Sequence, residues 1–285
     1  RRAEQRMAVT SFFSAFIVYK HISFISFTGI LQNLPKNFTT VLSVVKFCSI
    51  LCEIITISGG IHMSIVSDIE KLKKEKNAVI LAHYYVDEDV QDVADYIGDS
   101  FYLSKVATKV SQDRIIFAGV EFMGESAKIL NPKKRVFMPD MNADCPMAHM
   151  ADKDEILALR EKYDDLAVVC YINSTAELKK YSDVCVTSSN AVKIVKNLPN
   201  KNIFFIPDRN LGSYVAKQCP DKNFIFNNGC CPRHVVITKD MVLKAKELHP
   251  EARFAAHPEC TEDVLAFADY VGSTSGILDY VVDRV

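Results

Sequence analysis

An internal repeat of about 87 residues is the feature that most constrains how this chain folds. Three segments align around His83, Tyr171 and His257, which are 88 and 86 residues apart. The same two offsets separate Asp95, Asp183 and Asp269, and also Ser100, Ser188 and Thr274. Several coincidences at nearly constant offsets indicate three copies of one supersecondary unit.

Each copy has the pattern strand, short helix, strand, helix, followed by strand, helix, strand. Short apolar, β-prone runs begin the copies at residues 78–82, 167–170 and 253–256, and helical periods follow at 101–110, at 191–197 and from Gly276. Alternating elements of this length are typical of parallel sheets covered by helices on both faces. The predicted fold class is α/β, with three small αβα-layer repeats related by pseudo-threefold symmetry around a central active site.

The repeat also predicts the domain bounds: repeat 1 at residues 63–150, repeat 2 at 151–236 and an incomplete repeat 3 at 237–285. Residues 1–62 share none of this pattern and are predicted to be an extension outside the fold. A membrane or targeting segment and a genuine domain remain the alternatives for that stretch. Because the third copy stops before its last elements, we expect the chain to be truncated at its C-terminus.

Charge and cysteine usage narrow the classes of function. With 34 Lys and Arg against 35 Asp and Glu, the chain has no basic excess for binding nucleic acid. The chain contains no Gly-x-Gly-x-x-Gly after a strand, which argues against dinucleotide binding. Nine scattered cysteines make a poor disulfide framework and favour a reducing compartment, so we expect a cytoplasmic protein without stable membrane association.

Polar residues recur at the expected carboxyl ends of the first strands, where ligands gather in α/β sheets. His83, Tyr171 and His257 lie at these ends, and Tyr85, Asn173 and Glu259 follow two residues later. Ser100, Ser188 and Thr274 each fall in a strand-to-helix turn, where they predict either helix N-caps or a site for an anion. Together these groups predict a pocket for a small substrate with several negative charges.

The cysteines divide into two groups. Cys145 and Cys231 lie at matching places in loops, and each precedes a proline. Threefold symmetry would bring them together, where thiolates suit an iron–sulfur cluster or an open zinc site. Cys170 and Cys185 lie inside predicted strands, where each is expected to be a small buried hydrophobe.

The chain resembles the quinolinate synthase family from about Met63 to its end. The motifs that carry the resemblance are AHYY (82–85), IGDS (97–100), GESAKILNP (124–132), YINS (171–174), TSSNA (187–191), GCCPRH (229–234), HPEC (257–260) and GST (272–274). Nothing similar covers residues 1–62.

The resemblance implies a pseudo-threefold α/β enzyme of NAD biosynthesis that holds a [4Fe-4S] cluster through three cysteines. It implies the condensation of iminosuccinate (iminoaspartate) with dihydroxyacetone phosphate to quinolinate, with release of phosphate and water. An aspartate-oxidising enzyme would supply the first substrate. Cys145 and Cys231 are similar to the family's cluster ligands, and a third cysteine is expected beyond Val285.

The resemblance also assigns the remaining site residues. Tyr85, Glu259, Tyr171 and His257 are implied to be catalytic. The implied substrate contacts are His83, Ser100, Tyr171, Ile172, Asn173, Ser188, His257, Pro258, Glu259 and Thr274. Cys230 stands beside Cys231, and Cys231 is preferred as the ligand because it keeps the Gly-x-Cys-x-x-His register.

Two alternatives use the same scaffold. One is a zinc-dependent lyase or aldolase, and the other is a non-catalytic, dicarboxylate-binding redox sensor. Tyr85 and Glu259 exceed what simple binding needs, which argues against the sensor.

Overall fold

The computed structural model describes residues 65–140 and 142–283. The chain divides into two compact units, one of which contains all residues from Asn77 onward. A helix over residues 65–75, called α1, belongs to the other unit; within it, Lys73 Nζ lies 2.7 Å from Glu70 Oε1. The predictions for residues 1–62 lie outside the described residues.

The first repeat forms a parallel four-stranded sheet with the strand order β2-β1-β3-β4. Its strands are β1 (Ala78–His83), β2 (Tyr96–Gly98), β3 (Arg114–Ala118) and β4 (Arg135–Phe137). Its helices are α2 (Glu88–Asp92), α3 (Ser100–Lys109) and α4 (Glu121–Leu130). A short 3₁₀ helix, Pro146–His149, follows.

The second repeat has the same architecture, with the strand order β6-β5-β7-β8. After α5 (Lys153–Lys162) come β5 (Leu166–Tyr171), β6 (Val184–Val186), β7 (Asn202–Ile206) and β8 (Asn223–Phe226). The connecting helices are α6 (Ala176–Lys180), α7 (Ala191–Asn197) and α8 (Arg209–Lys217).

The third repeat contains α9 (Lys239–Leu248), β9 (Ala255–Ala256), α10 (Glu262–Leu265), β10 (Tyr270–Val271) and α11 (Thr274–Val282). Its two strands pair in parallel. The strand expected at residues 253–256 is shorter than predicted, because β10 pairs only with Ala255 and Ala256. The α/β class and its parallel, helix-flanked sheets are confirmed, whereas the exact domain bounds stay a prediction.

Strand β5 shows how both faces of a sheet become covered. Ala167, Val169 and Tyr171 face one buried cluster, while Val168 and Cys170 face another. The alternation of side chains along a strand places successive residues in opposite cores. A continuous apolar run is therefore what this strand requires.

A carboxylate ties the first two strands together in every repeat. Asp95 and Asp183 each accept a hydrogen bond from a backbone N–H of the neighbouring first strand, at 2.8 and 2.7 Å, and Asp269 accepts one at 2.8 Å from Phe254, the residue just before β9. In return, the backbone N–H of each aspartate donates to the carbonyl of the same partner residue, at 3.0, 3.0 and 2.7 Å. The aspartates that define the sequence repeat therefore make the same contact three times.

No helix among the described residues is both long enough and apolar enough to cross a membrane.

Replacing Asp269 with alanine should lower the free energy of unfolding by about 1 kcal/mol at neutral pH, because the Phe254 N–H loses its charged acceptor. That hydrogen bond is the largest cause of a lowered pKa at Asp269. The folded carboxyl binds a proton less tightly than the unfolded one, so its contribution is present at neutral pH and disappears as the pH falls through the folded pKa.

Urea unfolding of the wild type and D269A over a range of pH measures this difference. D263A serves as the control, because Asp263 is an exposed carboxylate in the same repeat. A stability gap that does not shrink towards acid pH would contradict the assignment.

Candidate active site and metal centre

The strand ends of the three repeats carry buried side chains, as the sequence predicts. His83 and Tyr171 are the last residues of β1 and β5, and His257 directly follows β9. All three are buried. Parallel pairing puts the carboxyl ends of the strands at one edge of each sheet, which explains why these side chains lie where a ligand can bind.

The two histidines are held in the same way. His83 Nδ1 accepts a hydrogen bond from the Tyr85 N–H at 3.2 Å, and His257 Nδ1 accepts one from the Glu259 N–H at 3.3 Å. Burial lowers the pKa of each imidazole to about 4. Both rings are therefore neutral at pH 7, with the proton on Nε2, which makes Nε2–H a hydrogen-bond donor.

Glu259 is a buried, ionised carboxylate. Its Oε2 atom lies 2.8 Å from His234 Nδ1 and 3.8 Å from His257 Nδ1. Burial alone would raise the pKa of Glu259, but His257, His234 and a hydrogen bond with Tyr171 lower it to about 2. The same carboxylate raises the pKa of His234 against the opposing effect of burial. These opposite shifts favour an ion pair between His234 and Glu259.

Two phenols complete the acid–base set. Tyr85 is 48% exposed, yet the protein atoms around its hydroxyl partly desolvate it and raise its pKa to about 12, and a hydrogen bond between the hydroxyl and Thr274 Oγ1 (3.3 Å) opposes this shift. Burial and the nearby Glu259 hold the pKa of Tyr171 well above its usual value. The negative charges of Glu259 and Cys231 also raise the pKa of Tyr85. Three titratable groups, one from each repeat, therefore influence one another's protonation.

At the starts of α3 and α11, the helix N-caps are not the residues that the sequence suggested. Asp99 caps α3 by accepting the Tyr102 N–H at 2.8 Å, and Ser273 caps α11 by accepting the Gly276 N–H at 3.2 Å. Ser100 and Thr274 are instead the first residues of these helices. The N-cap interpretation is therefore wrong for both, because the preceding residue supplies the cap and leaves their hydroxyls free of that task.

Repeats 1 and 3 also touch at these helix starts. The Ser275 hydroxyl donates a short hydrogen bond to Asp99 Oδ2, next to the contact between Tyr85 and Thr274. Ser188 lies in the turn before α7, where Asn190 is the N-cap without a side-chain hydrogen bond. The structure therefore links two of the three helix starts directly.

The remaining predicted contacts lie in the segments that follow the strand ends. The Ile172 N–H donates to the Val186 carbonyl at 2.8 Å, and Ile172 packs against the cores of both repeats 1 and 2. Asn173 is partly buried and Pro258 is buried. Among the described residues, neither Asn173 nor Ser188 forms a hydrogen bond with Glu259 or with its partners His234, His257 and Tyr171.

Cys145 and Cys231 occupy matching loops with matching backbone anchors. The Glu121 N–H donates to the Ala143 carbonyl, and the Arg209 N–H donates to the Gly229 carbonyl, both at 2.8 Å. Each anchor lies two residues before its cysteine and ties the loop to the first residue of a helix. Cys145 also packs against the buried cluster that contains Cys231. The expected proximity of the two loops is in keeping with this packing.

The surroundings of the two thiols differ. Cys231 is buried, its N–H donates to Asp208 Oδ2 at 2.8 Å, and its Sγ lies 3.0 Å from His234 Nδ1. Cys145 is partly buried, and its N–H donates to Asp144 Oδ1 at 2.7 Å. Burial is the largest cause of a raised pKa at both thiols. A bound cation would displace these protons, because thiolates are the ligating form.

Two residues of the site, Asp208 and His234, were not predicted from the sequence as site residues. Asp208 is fully buried and joins the Leu211 N–H at the start of α8 to the Cys231 N–H, at 2.7 and 2.8 Å. Burial raises its pKa to about 7. His234 was visible only as the last residue of the GCCPRH motif. Together, Cys231, His234 and Glu259 offer ligand atoms within 4.8 Å of one another, which makes them a candidate metal site.

Acid–base groups at the strand ends, paired thiol loops and parallel sheets define a repeat-built α/β enzyme with a candidate metal centre. The model of the family "NadA: Quinolinate synthetase A protein" matches residues 67–284. The chain therefore belongs to the quinolinate synthetase A family, and it is accordingly an enzyme in a family that acts in NAD biosynthesis.

Curated relatives agree with this assignment. The chain is 62% identical to a quinolinate synthase from Fusobacterium nucleatum, over 75% of this chain and 72% of the relative. It is 54% identical to one from Caldicellulosiruptor saccharolyticus, over 75% and 70%. The identity to one from Clostridioides difficile is 50%, over 75% and 71%.

Among solved structures, the chain is similar to the E-1-hydroxy-2-methyl-but-2-enyl-4-diphosphate reductase from Plasmodium falciparum. The identity is 15% and the TM-score 0.27, over 77% of this chain and 74% of that one. Likeness at this level supports nothing about fold or function.

Replacing Glu259 with glutamine should lower the pKa of His234 below its usual value. Glu259 is the main group that raises this pKa, Asp208 contributes less, and burial, the largest single cause, lowers it and remains. Histidine NMR titration of the metal-free protein measures the shift. His83 is the internal control, because burial and Asp99 set its pKa. An unchanged His234 titration would exclude the His234–Glu259 ion pair.

Proposed function

We propose that the protein condenses iminosuccinate with dihydroxyacetone phosphate to quinolinate, releasing phosphate and water. Membership of the quinolinate synthetase A family supports the overall reaction. The observation that carries the proposal is the buried Glu259 carboxylate of repeat 3, which lies 2.8 Å from His234 Nδ1 of repeat 2, an atom that also lies 3.0 Å from Cys231 Sγ. This arrangement supplies a proton acceptor and a candidate metal ligand in one place.

Substrate binding is the task we assign to the strand ends and helix starts. Neutral His83 and His257 would donate Nε2–H bonds to the carboxylates of iminosuccinate, and their neutrality follows from pKa values of about 4. Hydroxyls at the first residues of α3 and α11, Ser100 and Thr274, add donors where the helix dipole favours negative charge. We assign Ile172, Asn173, Ser188 and Pro258 to the walls of the same pocket.

We assign proton transfer to Glu259, Tyr85 and Tyr171. Glu259 is ionised at neutral pH and can accept a proton, since its pKa is about 2. Tyr85, with a pKa of about 12, holds a proton that it can donate. Tyr171 stays protonated for the same physical reason and donates a hydrogen bond to Glu259. Loss of phosphate and water needs protonated leaving groups, and this is the chemistry that the two phenols provide.

The cysteines fit a thiolate-bound metal group. Cys145 and Cys231 have matching loop anchors, and no disulfide removes either thiol. We propose them as ligands of a [4Fe-4S] cluster. When bound, the cluster would supply a Lewis-acidic iron. Cys230, which is also a free thiol, is the neighbour that we do not assign as a ligand.

A zinc-dependent lyase or aldolase is the second candidate. The observation that favours it is the mixed Cys231, His234 and Glu259 group, because sulfur, imidazole and carboxylate are all common zinc ligands. Reconstitution under anaerobic conditions separates the two. Quinolinate formation that requires iron and sulfide supports the first proposal, and formation with zinc alone would overturn it.

Partners and location follow from the proposed reaction. Iminosuccinate would come from an enzyme that oxidises aspartate. We propose the cytoplasm as the location, because the seven cysteines among the described residues are free thiols, which fits a reducing compartment. Neither nucleic acid nor a membrane is a proposed partner.

Replacing Cys231 with serine should remove most of the iron bound after anaerobic reconstitution, because serine is a poor substitute for a thiolate ligand. C145S should behave in the same way. C230S is the matched control and should keep its iron. Iron and sulfide analysis of the three proteins checks this. Loss of iron in C230S with retention in C231S would reverse the ligand assignment.

Replacing Tyr85 with phenylalanine should reduce turnover by about 10²-fold or more, the usual contribution of a general acid. Binding of a four-carbon dicarboxylate, measured by calorimetry, should change little. Y84F is the matched control, because Tyr84 is the adjacent phenol and has no proposed part in the reaction. Wild-type turnover in Y85F would remove Tyr85 from the catalytic group.

A further inference from the structure

Cys170 and Cys185 are direct neighbours on two parallel strands. Cys170 in β5 is the register partner of Cys185 in β6. Side chains at paired positions project from the same face of a sheet, so the two thiols are neighbours, and Cys170 Sγ also lies 3.4 Å from the Tyr171 carbonyl oxygen. The prediction that both are buried hydrophobes is wrong for Cys185, which is exposed because β6 lies at the edge of its sheet.

The other repeats carry no thiols at these positions. The corresponding pairs are Ala82 with Ile97 in repeat 1 and Ala256 with Val271 in repeat 3. The architecture therefore accepts a small residue beside a β-branched one. Packing alone does not require two cysteines here.

The surroundings of the pair favour a thiolate. The neighbouring Cys185 thiol is the largest cause that lowers the pKa of Cys170 to about 7, and the same contact raises the pKa of Cys185, so the two sulfurs share one proton. The ammonium group of Lys179 also lowers the pKa of Cys170. So does the Ser174 hydroxyl, which is buried and has no nitrogen or oxygen partner among the described residues.

Lys179 is fixed in place rather than free in solvent. Its Nζ donates to Ser126 Oγ at 2.9 Å and to the Phe122 carbonyl at 3.3 Å, both in repeat 1. A cation held at this position stabilises negative charge on either sulfur of the pair. The positive charge beside the cysteines is thus part of the contact between repeats 1 and 2.

We propose that Cys170 and Cys185 form an oxidisable dithiol site that reacts with hydroperoxides. The site is separate from the Cys145 and Cys231 loops, because Cys170 faces the opposite core from Tyr171. Neighbouring strands bring Cα atoms to about 4.8 Å, within the range that a disulfide spans.

The chemistry proceeds in two balanced steps. The proton shared by the two sulfurs passes to Cys170, and the exposed Cys185 thiolate attacks the hydroperoxide. The O–O bond breaks, Cys185 becomes a sulfenic acid, and the alkoxide or hydroxide that leaves takes a proton from solvent to become an alcohol or water. Cys170 sulfur then attacks Cys185 sulfur, the S–O bond breaks, and the hydroxide that leaves takes the Cys170 proton as water. Two thiols lose two electrons, and one hydroperoxide is reduced.

Peptide mapping of the whole protein after treatment with hydrogen peroxide tests this proposal. Remaining thiols are alkylated, and trypsin then separates the two cysteines by cleaving at Lys179 and Lys180. We expect a cross-linked peptide pair containing Cys170 and Cys185. Recovery of both cysteines as alkylated thiols, at peroxide exposures that oxidise other cysteines, would overturn the proposal.

Two substitutions introduce residues that the other repeats carry at the matching positions, so we expect both variants to fold. In C170A, which copies Ala82 and Ala256, Cys185 should stop at a sulfenic acid that dimedone traps. C185V, which copies Val271, should leave Cys170 reduced. Dimedone adducts that are equally abundant at Cys185 in C170A and in the wild type would contradict disulfide formation.

The lysine supplies a second measurement. K179Q should slow formation of the cross-link several-fold, because the cation that favours the thiolate is lost. K180Q is the matched control, since Lys180 is the adjacent, exposed lysine, and trypsin still cleaves at Lys179. Equal rates in K179Q and K180Q, with both proteins folded by circular dichroism, would refute the assigned influence of Lys179.

Discussion

Parallel pairing of the first two strands in each repeat is the constraint on which the rest of the structure depends. It brings the strand end that carries His83, Tyr171 or His257 to the same sheet edge as the turn that leads into the next helix. The carboxylates of Asp95, Asp183 and Asp269 hold these strand pairs together. Because one small unit already contains both parts of a binding surface, three copies can build one shared pocket.

The buried negative charge of Glu259 imposes a second, electrostatic requirement on the structure. A carboxylate as buried as Glu259 is stable only when it is paired, and His234 and Tyr171 from repeat 2 supply the partners. The same pairing keeps His234 close to Cys231. Charge compensation therefore joins repeats 2 and 3. It also sets the protonation of the site, in which Glu259 is ionised, the tyrosines are protonated, and His83 and His257 are neutral.

The sequence predicts what the repeat encodes and misses what belongs to one copy. Strand ends, helix order and matching cysteine loops recur at fixed spacing, and they were predicted. Asp208 has no acidic counterpart in repeat 1, where Val120 occupies the matching position, so no repetition marks it. The GDS and GST turns each contain two residues able to cap a helix, which is why Ser100 and Thr274 were open to misassignment. The exposure of Cys185 depends on strand order, and local pattern does not reveal which strand lies at an edge.

The backbone anchors of the two cysteine loops have a consequence for how the copies can differ. Because each anchor joins an N–H group to a C=O group, side chains near the thiol can change without breaking it. Duplicated segments can thereby acquire unlike electrostatic neighbours, Asp208 in one copy and Asp144 in the other, while retaining a common route for the chain. The two thiols can therefore differ in their electrostatic surroundings while they stay at equivalent places in the fold.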